Sequence, residues 1–319
     1  MKHCFVGFDT SNYTTSAAIC TTEGEVVANL KIPLPVKEGE RGLRQSDAVF
    51  AHVRNLPLLC EQLRDALAGM TPLAVGVSTR PRGAEDSYMP CFLAGKAAAS
   101  AFASAAELPL FACSHQDGHI MAALYSSGQA ERLSQAPFLA FHVSGGTTEG
   151  LFVEPSEAGA FRVNLASETA DINAGQAIDR VGVMMGLSFP CGKELESLAQ
   201  GYEKKPFRHP ISVKDGRCSL SGVENIAARL YRETEDPAAV AAFVFDFIGR
   251  TLVSMSEYMT ERYGKLPILY AGGVMSNRLM RASLASRFDA CFAEPAFSAD
   301  NAAGVALLCR RQYMASKEK

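Results

Sequence analysis

The feature that most constrains the fold of this chain is an order of elements that occurs twice. Residues 3–9 form a short apolar run ending in Asp-Thr-Ser, residues 15–20 a second β-rich run, and residues 26–32 a third, with polar turns between them. Three short strands in succession read as an antiparallel meander. Residues 45–67 then show a helical period despite Pro57, followed by a buried strand at 73–78, a small-residue helix at 94–106 and a short strand at 110–113. Ser114 caps a further helix that runs to about Ser126. After a polar linker at 127–135 the order restarts. A strand at 138–143 ends in Ser-Gly-Gly, and strands follow at 148–153 and 161–165. Helical patterns at 174–185, 194–200, 223–234 and 238–262 precede a buried strand at 266–270, a helix at 276–287, a short strand at 290–292 and a last helix from Asp300 to about Tyr313.

The two halves share almost no sequence identity, so the repeat lies in the order of elements. A duplicated unit of this kind, with a tight turn after its first strand, is the arrangement of the actin, Hsp70 and sugar-kinase class. The expected architecture is α/β, with mixed sheets flanked by helices and two domains facing a nucleotide cleft. A chain of 319 residues suits two domains of about 100–200 residues each. The division expected is 1–130 and 131–319, with the final helix free to pack back on the first domain.

Charge and cysteine content exclude several classes. Thirty-one Lys and Arg against 34 Asp and Glu give a net charge of −3, which argues against capture of nucleic acid by bulk positive charge. Local basic patches remain possible at Arg41, Arg44 and Arg54, or at Lys204, Lys205, Arg208, Lys214 and Arg217; the alternative for both is an ordinary solvated surface. Nine Cys, with no Cys-x-x-Cys pair, match neither a disulfide framework nor a zinc finger. The first residues do not read as a signal peptide. The stretch at 92–110, read as the most apolar, carries Lys96 and Glu107, so no membrane span is expected and the cytoplasm is the expected compartment.

The chemistry-bearing motifs sit at the ends of these elements. His115-Gln-Asp-Gly-His119 places two imidazoles four residues apart on one helix face, a spacing that can clasp one metal ion. The alternative is a pair of surface or helix-stabilising histidines. A third ligand must come from elsewhere, and Asp300, in Ser-Ala-Asp-Asn-Ala-Ala-Gly, is the candidate; it could equally be an N-cap. Asp9-Thr10-Ser11 and Ser144-Gly145-Gly146-Thr147-Thr148 end equivalent strands, and both can aim backbone N–H groups and hydroxyls at phosphate. Each alone reads as a tight hairpin. Gly272 and Gly273 would let a flat ring approach the backbone, and Asn277 could meet a ribose or base edge or simply cap a helix. Asp179 could accept from ribose hydroxyls or pair with Arg180, and residues 189–192 form a following turn.

This set resembles the TsaD-type tRNA threonylcarbamoyladenosine transferase family, also labelled glycoprotease. The resemblance runs from Gly7 to about Leu308 and rests on HQDGH with Asp300, SGGTT, AGQAID followed by PCG, and AGGVMSN. It implies an actin-like ATPase fold and one divalent metal, Fe or Zn, on His115, His119 and Asp300. It also implies a site for ATP, AMP or threonylcarbamoyl-AMP at His142, Val143, Ser144, Gly145, Gly146, Asp179, Gly192 and Asn277. Members of the family transfer a threonylcarbamoyl group to N6 of adenosine 37 in tRNA and assemble with smaller actin-like and ATPase subunits. This chain departs from the family pattern at Asn12, Tyr13 and Thr14 (usually acidic), Thr147 (usually His), Cys191 (usually Gly), Glu224 (usually Lys) and Asp117 (usually Glu). The changes suggest a diverged paralogue; the alternative function is a metal- and nucleotide-binding subunit with another acceptor or no catalysis. A metalloprotease is disfavoured, because Gln116 stands where HExxH enzymes carry their general base.

Overall fold

The first strands form because continuous runs of apolar and small residues can sit in a sheet that buries both their faces. β1 (Lys2–Thr10) and β2 (Thr14–Thr21) pair antiparallel, and β2 pairs antiparallel with β3 (Val26–Pro33). The computed structural model describes residues 2–11, 13–35, 43–84, 86–156, 159–202, 207–297 and 302–317. α1 (Gln45–Ala66) carries the chain over to β4 (Met70–Arg80), parallel to β1, and α2 (Phe92–Ala105) carries it to β5 (Leu110–Ser114), parallel to β4. The resulting sheet has the order β3-β2-β1-β4-β5. α3 (His115–Ser126) and the single turn α4 (Ala130–Leu133) follow; the latter lies in the segment expected to be linker.

The second sheet repeats that order. β6 (Phe138–Val143), β7 (Thr148–Pro155) and β8 (Phe161–Thr169) form the meander, and β11 (Ile268–Ala271) and β12 (Ala290–Phe292) extend it on the other side. Its order is β12-β11-β6-β7-β8-β10-β9, so five strands match the first sheet one for one. The addition is a hairpin of β9 (Ser212–Lys214) and β10 (Arg217–Ser219) beside β8. Between meander and β11 lie α5 (Ala174–Met184), α6 (Gly192–Ala199), α7 (Gly222–Thr234) and α8 (Pro237–Tyr263). α9 (Arg278–Ala285) links β11 to β12, and α10 (Ala303–Lys317) ends the described chain.

The chain divides into two compact units that are not contiguous in sequence. Residues 1–135, 154–163 and 296–319 make unit 1, and residues 136–153 and 164–295 make unit 2. α10 thus belongs with β1 and β4. It lies against α3 so closely that a Cβ on Gly304 would stand 1.8 Å from the carbonyl oxygen of Gly118. Only glycine permits that approach, and it fixes the helix carrying His115 and His119 to the start of α10.

Unit 2 is built around α8. This helix, and not the 92–110 stretch, is the one long and apolar enough to cross a membrane by length and composition among the described residues. Its most apolar stretch is 72% buried inside the protein, with Phe243, Phe247, Leu252 and Met259 in the core of unit 2. Each such side chain contributes about 1.5–3 kcal/mol by leaving water. Asp236 caps the helix by accepting from Ala238 and Ala239 N–H, and Pro237 occupies the first turn, where no N–H is needed.

Candidate active site

In unit 1 the sequence-selected residues converge on the end of β1. Asp9 is fully buried. Its Oδ1 accepts a hydrogen bond from Ser78 Oγ of β4 and lies 3.1 Å from His115 Nδ1. Held this way, His115 donates from Nδ1 and keeps its lone pair on Nε2, the arrangement that orients a metal-binding imidazole. The rings of His115 and His119 stand edge to face, 4.3 Å between centroids. Ser114 positions the pair by capping α3: its Oγ accepts the Asp117 amide at 3.1 Å, and Asp117 Oδ2 accepts the Ser114 amide at 3.0 Å. Burial pushes the Asp117 carboxyl up, against the hydrogen bonds from Ser114 and the charge of Arg80. Asp117 in the His motif is therefore a capping residue.

Two imidazoles one turn apart, one of them seated on a buried carboxylate, form a donor set that suits a divalent ion. Asp300 lies outside the described residues. Among the described residues no group of three His, Cys, Asp or Glu is arranged to hold a metal.

Ser11 sits just beyond Asp9. Its Oγ is buried without a hydrogen-bond partner, and its carbonyl accepts from His52 Nε2 at 2.8 Å. His52, from α1, also engages Thr15 Oγ1 through Nδ1 at 2.9 Å. Burial lowers the His52 pKa, opposed by its bond to Ser11 and the charge of Asp9. The imidazole is a neutral clamp on the turn after β1. Sequence reading missed His52 and Ser78, since their partners lie far along the chain; the one signal was a lone His on a helix otherwise read by its apolar period.

In unit 2 the turn after β6 is closed by its own atoms. Ser144 N–H donates to the Thr147 carbonyl at 2.7 Å, and Ser144 Oγ accepts from Gly146 and Thr147 N–H at 3.2 and 3.0 Å. Those two amides are thus partly engaged within the turn. The N-terminus of α5 is fastened to it: Gly175 N–H donates to the Ser144 carbonyl at 3.1 Å, and a Cβ on Gly175 would stand 2.6 Å from the Gly145 nitrogen. Gly145 and Gly146 are exposed, Val143 is buried and His142 half-buried. Gly272, with φ of 102°, presses on the end of the same strand; a Cβ there would meet the Val143 carbonyl oxygen at 2.2 Å.

Beyond Gly272, exposed Gly273 opens a 3₁₀ turn that leads to Asn277. Asn277 caps α9 by accepting from Met280 N–H at 3.0 Å, while its Nδ2 is buried without a partner. The cap and the spare donor coexist. Asp179 accepts from Cys191 N–H at 2.9 Å and so ties α5 to the turn before Gly192, the first residue of α6. Arg180 pairs instead with Glu224, at 3.7 Å. Of the basic residues, Arg41, Lys204 and Lys205 lie outside the described residues. Arg44, Arg54 and Arg208 are exposed, and exposed Lys214 and Arg217 face each other across the β9–β10 ladder.

The family model described as TsaD, tRNA N6-adenosine threonylcarbamoyltransferase, matches residues 87–307. The tRNA N6-adenosine threonylcarbamoyltransferase of Streptococcus pneumoniae (strain Taiwan19F-14) is 32% identical over 304 residues, covering 90% of this chain and 84% of that protein. This chain belongs to the TsaD family. It is an enzyme of the transferase class, in a family whose work is the modification of tRNA. Two solved structures share its fold. Full-length HypF in its phosphate- and nucleotide-bound form aligns with a TM-score of 0.58 at 11% identity, over 97% of this chain and 55% of that one. A ROK family glucokinase from Streptomyces griseus in complex with glucose and AMPPNP gives 0.50 at 13% identity, over 96% and 98%. The fold is that of the actin-like ATPase and sugar-kinase class.

Proposed function

We propose that this protein transfers a threonylcarbamoyl group from threonylcarbamoyl-AMP to N6 of adenosine 37 in tRNA, using one divalent metal, Fe or Zn. The observation that carries the reading is the buried Asp9 carboxylate holding His115 in register with His119, in a chain of this family.

The donor is an activated mixed anhydride, whereas an exocyclic adenine amine is a weak nucleophile, so positioning supplies most of the rate. N6 attacks the carbamoyl carbon, a C–N bond forms, the C–O bond to phosphate breaks, AMP departs and the N6 proton passes to solvent. Exposed backbone at Gly145 and Gly146 suits the phosphate of the departing AMP. The buried Nδ2 of Asn277 is a donor for a ribose or base edge. The second oxygen of Asp179 can accept from a ribose hydroxyl while the first holds Cys191 N–H. Asp9 orients His115, and with His119 and Asp300 that imidazole would hold the metal. The ion, when bound, supplies Lewis acidity toward the threonyl carboxylate or the phosphate.

With a net charge of −3, tRNA is held through local patches and smaller actin-like and ATPase partner subunits, in the cytoplasm where tRNA is modified. The Arg180–Glu224 ion pair beside Asp179 favours a second reading, a nucleotide-binding paralogue acting on another acceptor or as a partner subunit. One experiment separates the two. Metal-loaded protein, partner subunits, tRNA and donor labelled in the threonyl group are combined. The first reading predicts label in tRNA, lost in His115→Ala. Binding of AMP without transfer under any partner combination would overturn it in favour of the second.

A further inference from the structure

The outward side of α1 is apolar. Its inner side, with Ala48, His52, Leu59 and Leu63, is buried, and the helix lies on β2 and β3 beside α2. A helix so placed normally turns polar residues to water. Here Phe50, Val53 and Leu58 are 64%, 55% and 56% exposed, with Pro57 exposed among them. Their spacing puts them on one side of the helix, so the exposure is a continuous stripe and not scattered single residues. The Arg54 guanidinium lies over the Phe50 ring, 5.8 Å from its centroid, and belongs to the same face. The neighbouring helix continues it: Leu93, Ala97, Ala101 and Ala105, every fourth residue of α2, are exposed, and Lys96 is the single charge in its 14 residues.

The charges of α1 match the helix to itself. Asp47 stands in its first turn and Arg64 in its last. When two copies of α1 lie antiparallel about a two-fold axis between residues 55 and 56, Asp47 faces Arg64 of the second copy and Val53 faces Leu58. Phe50, with the Arg54 cation over its ring, faces Glu61. Each contact then occurs twice, as closed two-fold symmetry requires, and no like charges oppose each other. The area is sufficient. With 22 and 14 residues, α1 and α2 are about 33 and 21 Å long, and at about 10 Å of width each they present about 540 Å² per copy. Two copies bury about 1,100 Å², above the ~1,000 Å² expected of a specific interface.

We propose that α1 and α2 form the interface of a homodimer, with α1 packed antiparallel on α1 of a second copy of this chain. The face lies wholly within unit 1. A different partner would need an apolar helix of its own, with a base opposite Asp47 and an acid opposite Arg64; a second copy supplies all three by symmetry. The exposed alanines of α2 let helix backbones come close at the flank of the contact, and the net charge of −3 per chain sets little repulsion against pairing.

The test is sedimentation equilibrium of the full chain over a range of concentrations. Wild type should approach twice the 34.2 kDa of one chain. Val53→Asp and Leu58→Lys put a charge into the apolar stripe at exposed positions, so both should keep the wild-type circular dichroism spectrum and raise the dimer dissociation constant by about 100-fold or more. Asp47→Arg and Arg64→Asp should each weaken the dimer roughly 10-fold, since symmetry makes every change count twice. The double variant Asp47→Arg/Arg64→Asp should recover most of the loss, which only an antiparallel pairing of those two positions produces. Three results would overturn the assignment: wild type that stays monomeric, alone or bound through this face to a different protein; a dimer that folded Val53→Asp and Leu58→Lys leave intact; and a double reversal no tighter than the single ones.

Discussion

Gly304→Ala tests the claim that α10 and α3 are locked together at the His motif. The added Cβ would lie 1.8 Å from the Gly118 oxygen, 2.7 Å from its carbonyl carbon and 2.9 Å from the Ala122 nitrogen. All three are helix backbone, so no side chain can turn aside. Ordinary contact begins at 3.4 Å, and the helices must part by about 1.6 Å at this point. Overpacking of this kind costs about 1–3 kcal/mol and sometimes more. The intrinsic helix preference of Ala over Gly returns at most about 1 kcal/mol. The net expectation is destabilisation by about 2 kcal/mol, read by urea unfolding followed by circular dichroism. Because α3 carries His115 and His119, the same variant should lose bound metal by mass spectrometry. Gly222→Ala, where nothing lies within 4 Å, is the control and should stay within about 0.5 kcal/mol of wild type. A Gly304→Ala protein with wild-type stability and stoichiometric metal would refute the reasoning.

Three further outcomes follow from single residues. Stability should fall with pH below about 6.5, the unfolded value for His, because the folded His52 pKa is depressed and the unfolded chain takes up the proton first; His52→Gln should flatten that segment of the stability–pH curve. Burial would raise the Asp171 pKa, but hydrogen bonds from Leu220, Ser221 and Ile172 together lower it. Its contribution is therefore present above the unfolded carboxyl value of about 3.9 and lost as pH falls through the folded one, and Asp171→Ala should cost about 1–2 kcal/mol in urea unfolding. Asn277→Asp keeps the oxygen that caps α9 and removes the buried Nδ2 donor. It should be less stable than wild type, because the new carboxylate oxygen is buried with no donor, and bind AMP about 10-fold more weakly in calorimetry.

What could be read from the sequence was whatever is local. The meanders, the crossover helices and the small-residue α2 follow from period and turn residues. The β9–β10 hairpin was missed although its signal was present: Asp215 and Gly216, both at positive φ, form the two-residue turn that joins the strands. The hydrophobic length of α8 was underweighted because Asp246 and Arg250 interrupt it; they pair with each other at 2.8 Å one turn apart. Non-local facts were out of reach. His52 meets Ser11 across 41 residues, and Ser78 meets Asp9 across 69. No spacing rule announces such contacts. The double use of Asn277, as cap and as carrier of an unpartnered donor, needs coordinates, since a capping Asn looks the same in sequence whether or not its amide nitrogen is buried.

The central claim is tested most directly by nucleoside analysis of tRNA. Purified metal-loaded protein is incubated with threonylcarbamoyl-AMP, partner subunits and unmodified tRNA, and the digested nucleosides are resolved by mass spectrometry. Transfer as proposed yields N6-threonylcarbamoyladenosine at position 37, absent when that adenosine is replaced and absent with His115→Ala. Unmodified tRNA from a protein shown to hold both metal and donor would contradict it.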